Sequence, residues 1–526
     1  MATKRLIILA LMGMAIVYSG CKREESWIWQ PKISAPVGNV HITLQKLLGD
    51  TLVGVNGNGG LSITLNQTLQ TISSPDLIRI PDTSIAKTYN IPFISITLNP
   101  GNQLVSQGDN IVFKSEAKLT RVLLDKGQLR YKIRNQVDHS IDVVYALPGA
   151  KRGGLGFELT GTVPGRSINA DGFLSGSVDL SGYELDLRGP GLNGCNTLWA
   201  TLLATITNTG GSVLVTPQDS LVIEMSFENM VPYYAKGYFG QTIIDQNQET
   251  SLDVFKIIRS GSIEWSDAQL DLELINPMGS DFQVTLSNLK ANNTKTGEEI
   301  ALVHPMIGAP IQITRAQEHP LEPKIKRYHF TQSNSNLLQL INTMPDRLRY
   351  TSKFELNPLG NISNGQDFVH TNDLPRINLK GVLPLRFSAQ NLRLTDTLNL
   401  SPPQPGEQSK PLKGTLYLTY KNAFPFSIHL TGIALDDQGK ALGPLFENIS
   451  IPSGNGNGGE GVVTPSEGRI PIALTEQTLQ WFYAGKKLIA EGILHTPQPP
   501  AFRSIDASAF LDLSLQADVK LELLAK

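Results

Sequence analysis

The chain has 526 residues, enough for about three domains at roughly 150 residues each. Lys plus Arg (45) nearly balances Asp plus Glu (47), only 17 % of residues are charged, and neither sign is gathered into a run, which excludes an evident nucleic-acid surface or polybasic membrane segment. Gly (47) and Pro (32) are abundant while long Ala/Glu/Lys/Leu stretches are missing, so strands joined by many turns are expected: a mainly β chain of tandem antiparallel β-sandwich-like domains with a few short helices.

The N-terminus reads as an export signal. Lys4 and Arg5 precede an apolar run from Leu6 to Val17, twelve residues long. That is too short for a bilayer span of about 20 residues and suits the core of a signal peptide, placed at residues 1–20. Tyr18-Ser19-Gly20-Cys21 resembles the lipobox of bacterial lipoproteins, with Tyr18 where leucine is usual. The resemblance implies that Cys21 is lipidated and becomes the first mature residue. Lys22-Arg23-Glu24-Glu25 resembles the surface-export signal of Bacteroidota lipoproteins, with Arg23 as an extra residue. It implies a lipid-anchored outer-membrane protein exposed at the cell surface. With Cys21 acylated, Cys195 is the remaining thiol, so no intrachain disulfide is expected and stability must come from burial and hydrogen bonding. Residues 21–39 are read as the lipidated tether, its Trp27 and Trp29 docking on the first domain rather than lying in the membrane interface.

From Val40 the pattern alternates to Leu47, then again over Thr51–Val55 and Leu61–Leu65 around Asn56-Gly-Asn-Gly-Gly60. Asn-Gly pairs supply the positive φ of tight hairpins, so a β-hairpin is expected. The same pentapeptide recurs at Asn455-Gly-Asn-Gly-Gly459. Neither loop is a phosphate cradle, which would need a following helix N-terminus with Lys-Ser/Thr. Arg152-Gly-Gly-Leu-Gly-Phe157 fails the same test. The long segment Ser453–Gly461 is the candidate contact loop, with Gly454, Asn455, Gly456, Asn457, Gly458 and Gly459 as its contact residues.

One pattern occurs three times. Gly127-Gln-Leu-Arg-Tyr-Lys-Ile-Arg-Asn135, Ala268-Gln-Leu-Asp-Leu-Glu-Leu-Ile-Asn276 and Gly414-Thr-Leu-Tyr-Leu-Thr-Tyr-Lys-Asn422 share length, a leucine at the third place and a terminal asparagine. The sixth residue after each asparagine is apolar: Ile141, Phe282 and Ile428. The asparagines are 141 and 146 residues apart, the period of a whole β-domain. Boundaries are accordingly set at 40–250, 251–400 and 401–526. A short amide at a strand end can bond the backbone of the next turn and tolerates left-handed φ, so a structural role is expected for Asn135, Asn276 and Asn422. Phe424, Phe426 and Ile428 are expected in the core.

Each repeat then closes with a strand: Leu221–Phe227, Leu348–Phe354 and Leu488–Leu494. Short helices precede the second and third, over Asn336–Met344 and after a Thr475 cap, whereas Leu198–Ile206 fits helix or strand. Val382–Leu394 and Ala509–Leu523 read as further strands. Asn276-Pro-Met-Gly-Ser-Asp-Phe-Gln-Val284 and Asn422-Ala-Phe-Pro-Phe-Ser-Ile-His-Leu430, each followed by a turn at Gly297 or Asp436-Asp-Gln-Gly439, resemble late-embryogenesis-abundant type 2 (water-stress/hypersensitive-response) domains over about 30 residues per copy. The resemblance implies a β-sandwich with a small helix before a late strand, and no catalysis.

No Gly-x-Ser-x-Gly elbow, His-Glu-x-x-His helix, Cys-x-x-Cys or EF-hand loop is present. His304, His319 and His329 match no zinc spacing, and Asp436-Asp437 reads as a turn. The expectation is therefore a protein that is not an enzyme, carries no metal or other cofactor and binds no nucleic acid. It would be a lipid-anchored binding or structural protein of the cell envelope, an accessory subunit of an outer-membrane complex, partnered by the membrane through Cys21 and by other outer-membrane proteins. A carrier of an apolar lipid in a β-lined cavity is the alternative, and a hydrolase whose carboxylates meet only in space comes third.

Overall fold

A computed structural model describes residues 28–43, 53–55, 61–90, 94–255, 261–403, 409–456, 463–497 and 501–524. The three asparagine strands, Lys118–Asn135, Gln269–Asn276 and Ser409–Asn422, each end at the asparagine. In each case the chain then crosses to the facing sheet and resumes as Ile141–Arg152, Phe282–Asn293 and Ser427–Leu435. Alternate side chains of a strand point to opposite faces, so one row of each strand fills the space between the sheets.

The order of elements after the crossing is the same in all three repeats. The crossing strand turns back into a hairpin partner, Leu155–Val163, Pro310–Ile313 or Ala441–Ile451. A return strand, Gly172–Asp179, Lys324–Phe330 or Ser466–Leu474, then pairs with the asparagine strand. The late strand, Thr197–Ile206, Arg347–Leu356 or Lys487–His495, pairs with the crossing strand. Finally a closing strand, Ser220–Tyr238, Arg376–Pro384 or Phe510–Leu524, flanks the asparagine strand on its other side. In repeat 1 the short strand Glu184–Asp186 pairs with both the asparagine and the crossing strand, so its two sheets run on as one.

Two edge strands complete each sandwich, and one of them comes from far away in sequence. Gln103–Val112, Thr242–Ser251 and Leu392–Asn399 flank the late strands and immediately precede their own repeats. The closing strands are flanked by Thr83–Asn90 in repeat 1, Leu61–Thr71 in repeat 2 and Lys32–Thr43 in repeat 3. These three lie in the N-terminal part of the chain in the reverse order of the repeats they complete. The repeats are thus nested: among the described residues the first strands pair with the last.

Two compact units result. One holds the described residues of Met1–Ile63, Lys256–Ser266 and Pro384–Lys526, and so repeat 3. The other, Thr64–Phe255 with Asp267–Leu383, holds repeats 1 and 2. In the first unit Leu511, Leu513, Leu515, Ala517, Val519 and Leu521 of the closing strand are all buried, while the residues between them face outward. Burying a leucine or valine side chain contributes roughly 1.5–3 kcal/mol relative to leaving it exposed. A small sheet of Ser262–Trp265, Arg386–Gln390 and Arg503–Ser504 adds Trp265 and Phe387, whose ring stacks on Phe426 with centroids 5.2 Å apart.

Several expectations need adjustment. Residues 32–39, assigned to the tether, are strand, because their backbone finds its partner in Phe510–Leu524. For the same reason the domain boundary at residue 40 does not separate structures: Lys32–Thr43 completes repeat 3 and Leu61–Thr71 completes repeat 2. Leu198–Ile206 is strand and is the late strand of repeat 1, whereas Leu221–Phe227 belongs to its closing strand. Both alternate alike, and only the pairing partner tells them apart. Val382–Leu394 is divided among three strands. Both expected helices form, as Leu337–Asn342 and Glu476–Ala484, the second capped by the Thr475 side chain accepting from the Thr478 amide. Strands Val53–Val55 and Leu61–Thr71 pair across the expected hairpin, whose Asn56–Gly60 turn lies outside the described residues.

Candidate functional site

The sandwich corner is built in one way three times. Asn135 is wholly buried; its Oδ1 accepts from the Val137 amide at 2.9 Å, and its Nδ2 donates to the carbonyls of His139 (2.8 Å) and Pro164 (2.9 Å). Asn276 does the same with Met278 (2.9 Å), Ser280 (2.9 Å) and Thr314 (2.8 Å), and Asn422 with Phe424 (2.9 Å), Phe426 (3.0 Å) and Pro452 (2.8 Å). The amide therefore holds its own crossing segment at two points and the residue just past the hairpin partner at a third. The amides of Val137, Met278 and Phe424 are buried away from water and depend on the asparagine, whereas Pro164, Thr314 and Pro452 are exposed and the Pro452 carbonyl also accepts from Ser466 Oγ at 2.7 Å. None of the three asparagines adopts the left-handed φ allowed for them; it is the amide that matters. The sequence offered no signal for Pro164, Thr314 and Pro452, since they lie 29, 38 and 30 residues beyond their asparagines.

The candidate contact loop grows from one of these corners. The Gly454 amide donates to the Phe424 carbonyl at 2.9 Å, and Asn455 exchanges two backbone hydrogen bonds with Thr464. A Cβ on Gly454 would lie 2.3 Å from Val463 Cγ1, which is why glycine stands there. Gly454 is buried and Asn455 and Gly456 are exposed, while Asn457, Gly458 and Gly459 lie outside the described residues, as does Cys21.

A groove of about 700 Å³ runs over the outer face of repeat 3, lined by Asn39, His41, Thr419, Lys421, Glu467 and Arg469 among others. Register puts His41, Asp512, Lys421 and Glu467 in one row across four strands. His41 Nδ1 lies 2.5 Å from Asp512, and Lys421 Nζ lies 2.8 Å from Glu467, which raises the Lys421 pKa. Arg469 sits over the Tyr417 ring at 4.0 Å. Two cavities between the sheets are small: one of about 30 Å³ lined by Ile42, Phe424, Ile428 and Leu511 in repeat 3, and one of about 10 Å³ beside Phe282 and Phe354 in repeat 2. Small-molecule pockets run to roughly 300–1,000 Å³.

The three histidines have separate partners. His304 Nδ1 accepts from the Met306 amide at 3.2 Å, and burial lowers its pKa; His319 is exposed, 3.8 Å from Glu318; His329 meets Asp271 at 2.6 Å. Among the described residues no group of three or more His, Cys, Asp or Glu is placed to hold a metal. Asp436 is a turn residue, its Oδ1 accepting from the amides of Gln438 and Lys440. Cys195 is a free, half-buried thiol.

Repeat 2 carries a buried carboxylate held by two cations. Glu273, 4 % exposed, meets Lys380 and Arg327, both at 2.8 Å. Lys380 foremost, then Arg327, holds the Glu273 carboxyl below its ordinary pKa. Its contribution is complete above the unfolded-state pKa and is lost as pH falls through the lower folded value. Glu273→Gln should cost about 2 kcal/mol at pH 7 and leave repeat 2 less acid-sensitive than the parent. Amide exchange of Gln269–Asn276 against pH measures both.

No family model matches the sequence, and no curated protein matches it. Among solved structures, a Parabacteroides distasonis protein inferred to be secreted aligns over 54 % of this chain and 89 % of its own at 9 % identity, with a TM-score of 0.30. A triple jelly-roll protein of an archaeal virus turret aligns over 88 % and 98 % at 10 % identity and a TM-score of 0.11. VP2 of infectious bursal disease virus does so over 92 % and 83 % at 8 % identity and 0.12. Scores of this size carry neither fold nor role to this chain. Among the described residues no helix is long and apolar enough to cross a membrane.

Proposed function

We propose that this chain is a binding and structural protein of the cell envelope, anchored in the outer membrane by an acylated Cys21 and displayed at the cell surface as an accessory subunit of an outer-membrane complex. The observation that carries the binding role is the repetition of one sandwich with filled interiors. Repeating a scaffold extends reach and contact area, and sheets packed to cavities of about 30 and 10 Å³ leave loops and outer faces for partners. Neither of these two cavities would hold an apolar ligand, which would need at least ten times the space. Support for the anchor is the N-terminal pattern of Lys4, Arg5, the apolar run to Val17 and Cys21. In this reading the chain performs no catalysis and recruits other envelope proteins.

Cys21→Ser tests the anchor. The parent should take up labelled palmitate and sediment with the outer membrane; the variant should take up none and be soluble or retained by its uncleaved signal. Normal labelling of the variant would end this reading.

A further inference from the structure

The composition holds no basic run, yet the fold assembles a basic patch. Lys32 stands directly opposite Lys520, and Lys520 directly opposite Lys413, on three neighbouring antiparallel strands. One residue pair further along the edge, Lys410 faces Glu522. The closing strand sets the direction of these side chains: Val519 and Leu521 are buried, so Lys520 points outward, and Lys32, Lys410 and Lys413 are exposed with it. Lys32 Nζ lies 2.7 Å from Asp518, which also accepts from Ser34. Lys410, Lys413 and Lys520 form no ion pair among the described residues. Among the described residues, four lysines against Asp518 and Glu522 leave this end of the face with two net positive charges. The other end, where Asp512, Lys421 and Glu467 alternate, carries one net negative charge in its row.

Like charges directly opposite one another destabilise a strand pair, so the row of three lysines, of which Lys32 is paired with Asp518, would be relieved further by an external anion. The place of the row decides which. Ile28 and Trp29 extend the same sheet, pairing with Leu524 and Leu523. Cys21 precedes Ile28 by seven residues, a reach of about 25 Å at most. The lysine-rich end of repeat 3 is therefore the end from which a membrane anchor would start, and it can touch the headgroups but cannot be carried far from them.

We propose that this face, formed by Lys32, Lys410, Lys413 and Lys520, docks on the anionic phosphates of lipid headgroups in the bilayer that holds the anchor. The proposal rests on the anchored reading above and adds which repeat faces the membrane. A basic residue at an anionic surface strengthens binding by about fivefold, screened within a Debye length. Two net charges therefore amount to roughly twenty-five-fold, which is ample for a domain already tethered.

The test uses the purified full chain with vesicles of phosphatidylcholine alone or with phosphatidylglycerol. Flotation with neutral vesicles reports the anchor, whereas amine-reactive labelling of individual lysines reports the face. Lys410, Lys413 and Lys520 should react about fivefold more slowly on anionic than on neutral vesicles, with the difference erased by high salt and Lys421 unaffected. In Lys32→Gln/Lys413→Gln/Lys520→Gln the residual protection of Lys410 should vanish while the thermal transition stays in place. Equal labelling on both vesicle types would overturn the proposal even if the chain floats. If the chain fails to float on neutral vesicles the anchor is wrong, and salt-sensitive protection on anionic vesicles would still uphold the face. Protection of Lys421 equal to that of Lys413 would also overturn it, since charge alone rather than this end would then be responsible.

Discussion

Asn276→Asp should unfold repeat 2, and Asn276→Ala should come close. In the parent the amide gives two hydrogen bonds to the carbonyls of Ser280 and Thr314 and accepts one from Met278; Ser280 and Met278 are fully buried, while Thr314 lies at the surface. Alanine leaves two buried backbone groups unsatisfied and opens the Thr314 carbonyl to water, and a buried orphan costs about 1–3 kcal/mol, so a total of roughly 2–6 kcal/mol is expected. Aspartate keeps the acceptor for Met278 yet turns a carboxylate oxygen toward two carbonyls. Its only relief is to bind a proton, so the loss should be larger at pH 7 than for alanine and should shrink as the solution is acidified. The same order, Asp worse than Ala, is expected at Asn135 and Asn422. Amide exchange of the crossing strands would measure it in each repeat separately. If aspartate proved as mild as a surface change, the amide would not be holding the corner.

These corners also show how far the residues can be read without coordinates. The strand ends at Asn135, Asn276 and Asn422, the apolar positions six residues on and the helices before two late strands are local properties, set by alternation, capping and an amide beside a turn. The nature of the asparagine bond is only half local: the contacts to residues two and four ahead are within reach of a sequence argument, but the third acceptor depends on where a hairpin returns. Pairing partners are not local at all. Leu198–Ile206 and Leu221–Phe227 alternate alike, and which one lies beside the crossing strand is decided by the fold. The lysine row is the extreme case, since Lys32 and Lys520 lie on strands from opposite ends of the chain. Anchor and contact loop remain in the sequence domain, at Cys21 and at Asn457–Gly459.

The second large effect concerns that first strand. Removing residues 32–43 should destabilise the C-terminal repeat and not the one nearest in sequence. Phe510–Leu524 would lose a partner that it pairs with from Lys520 to Phe510, and Val37, 2 % exposed, would leave the core of repeat 3. An exposed backbone edge and an unfilled position act together, and the loss should exceed about 5 kcal/mol, a large part of a domain's stability. Repeat 1 draws its edge strand from Thr83–Asn90 and repeat 2 from Leu61–Thr71, so neither is touched.

Hydrogen exchange followed peptide by peptide, on the parent and on the chain lacking residues 32–43, tests the nested three-repeat arrangement most directly. Protection should collapse over 409–435 and 466–524, more than 350 residues from the deletion, while 118–206 and 269–356 exchange as in the parent. Loss confined to residues adjoining the deletion, or a collapse of repeat 1 with repeat 3 intact, would contradict it.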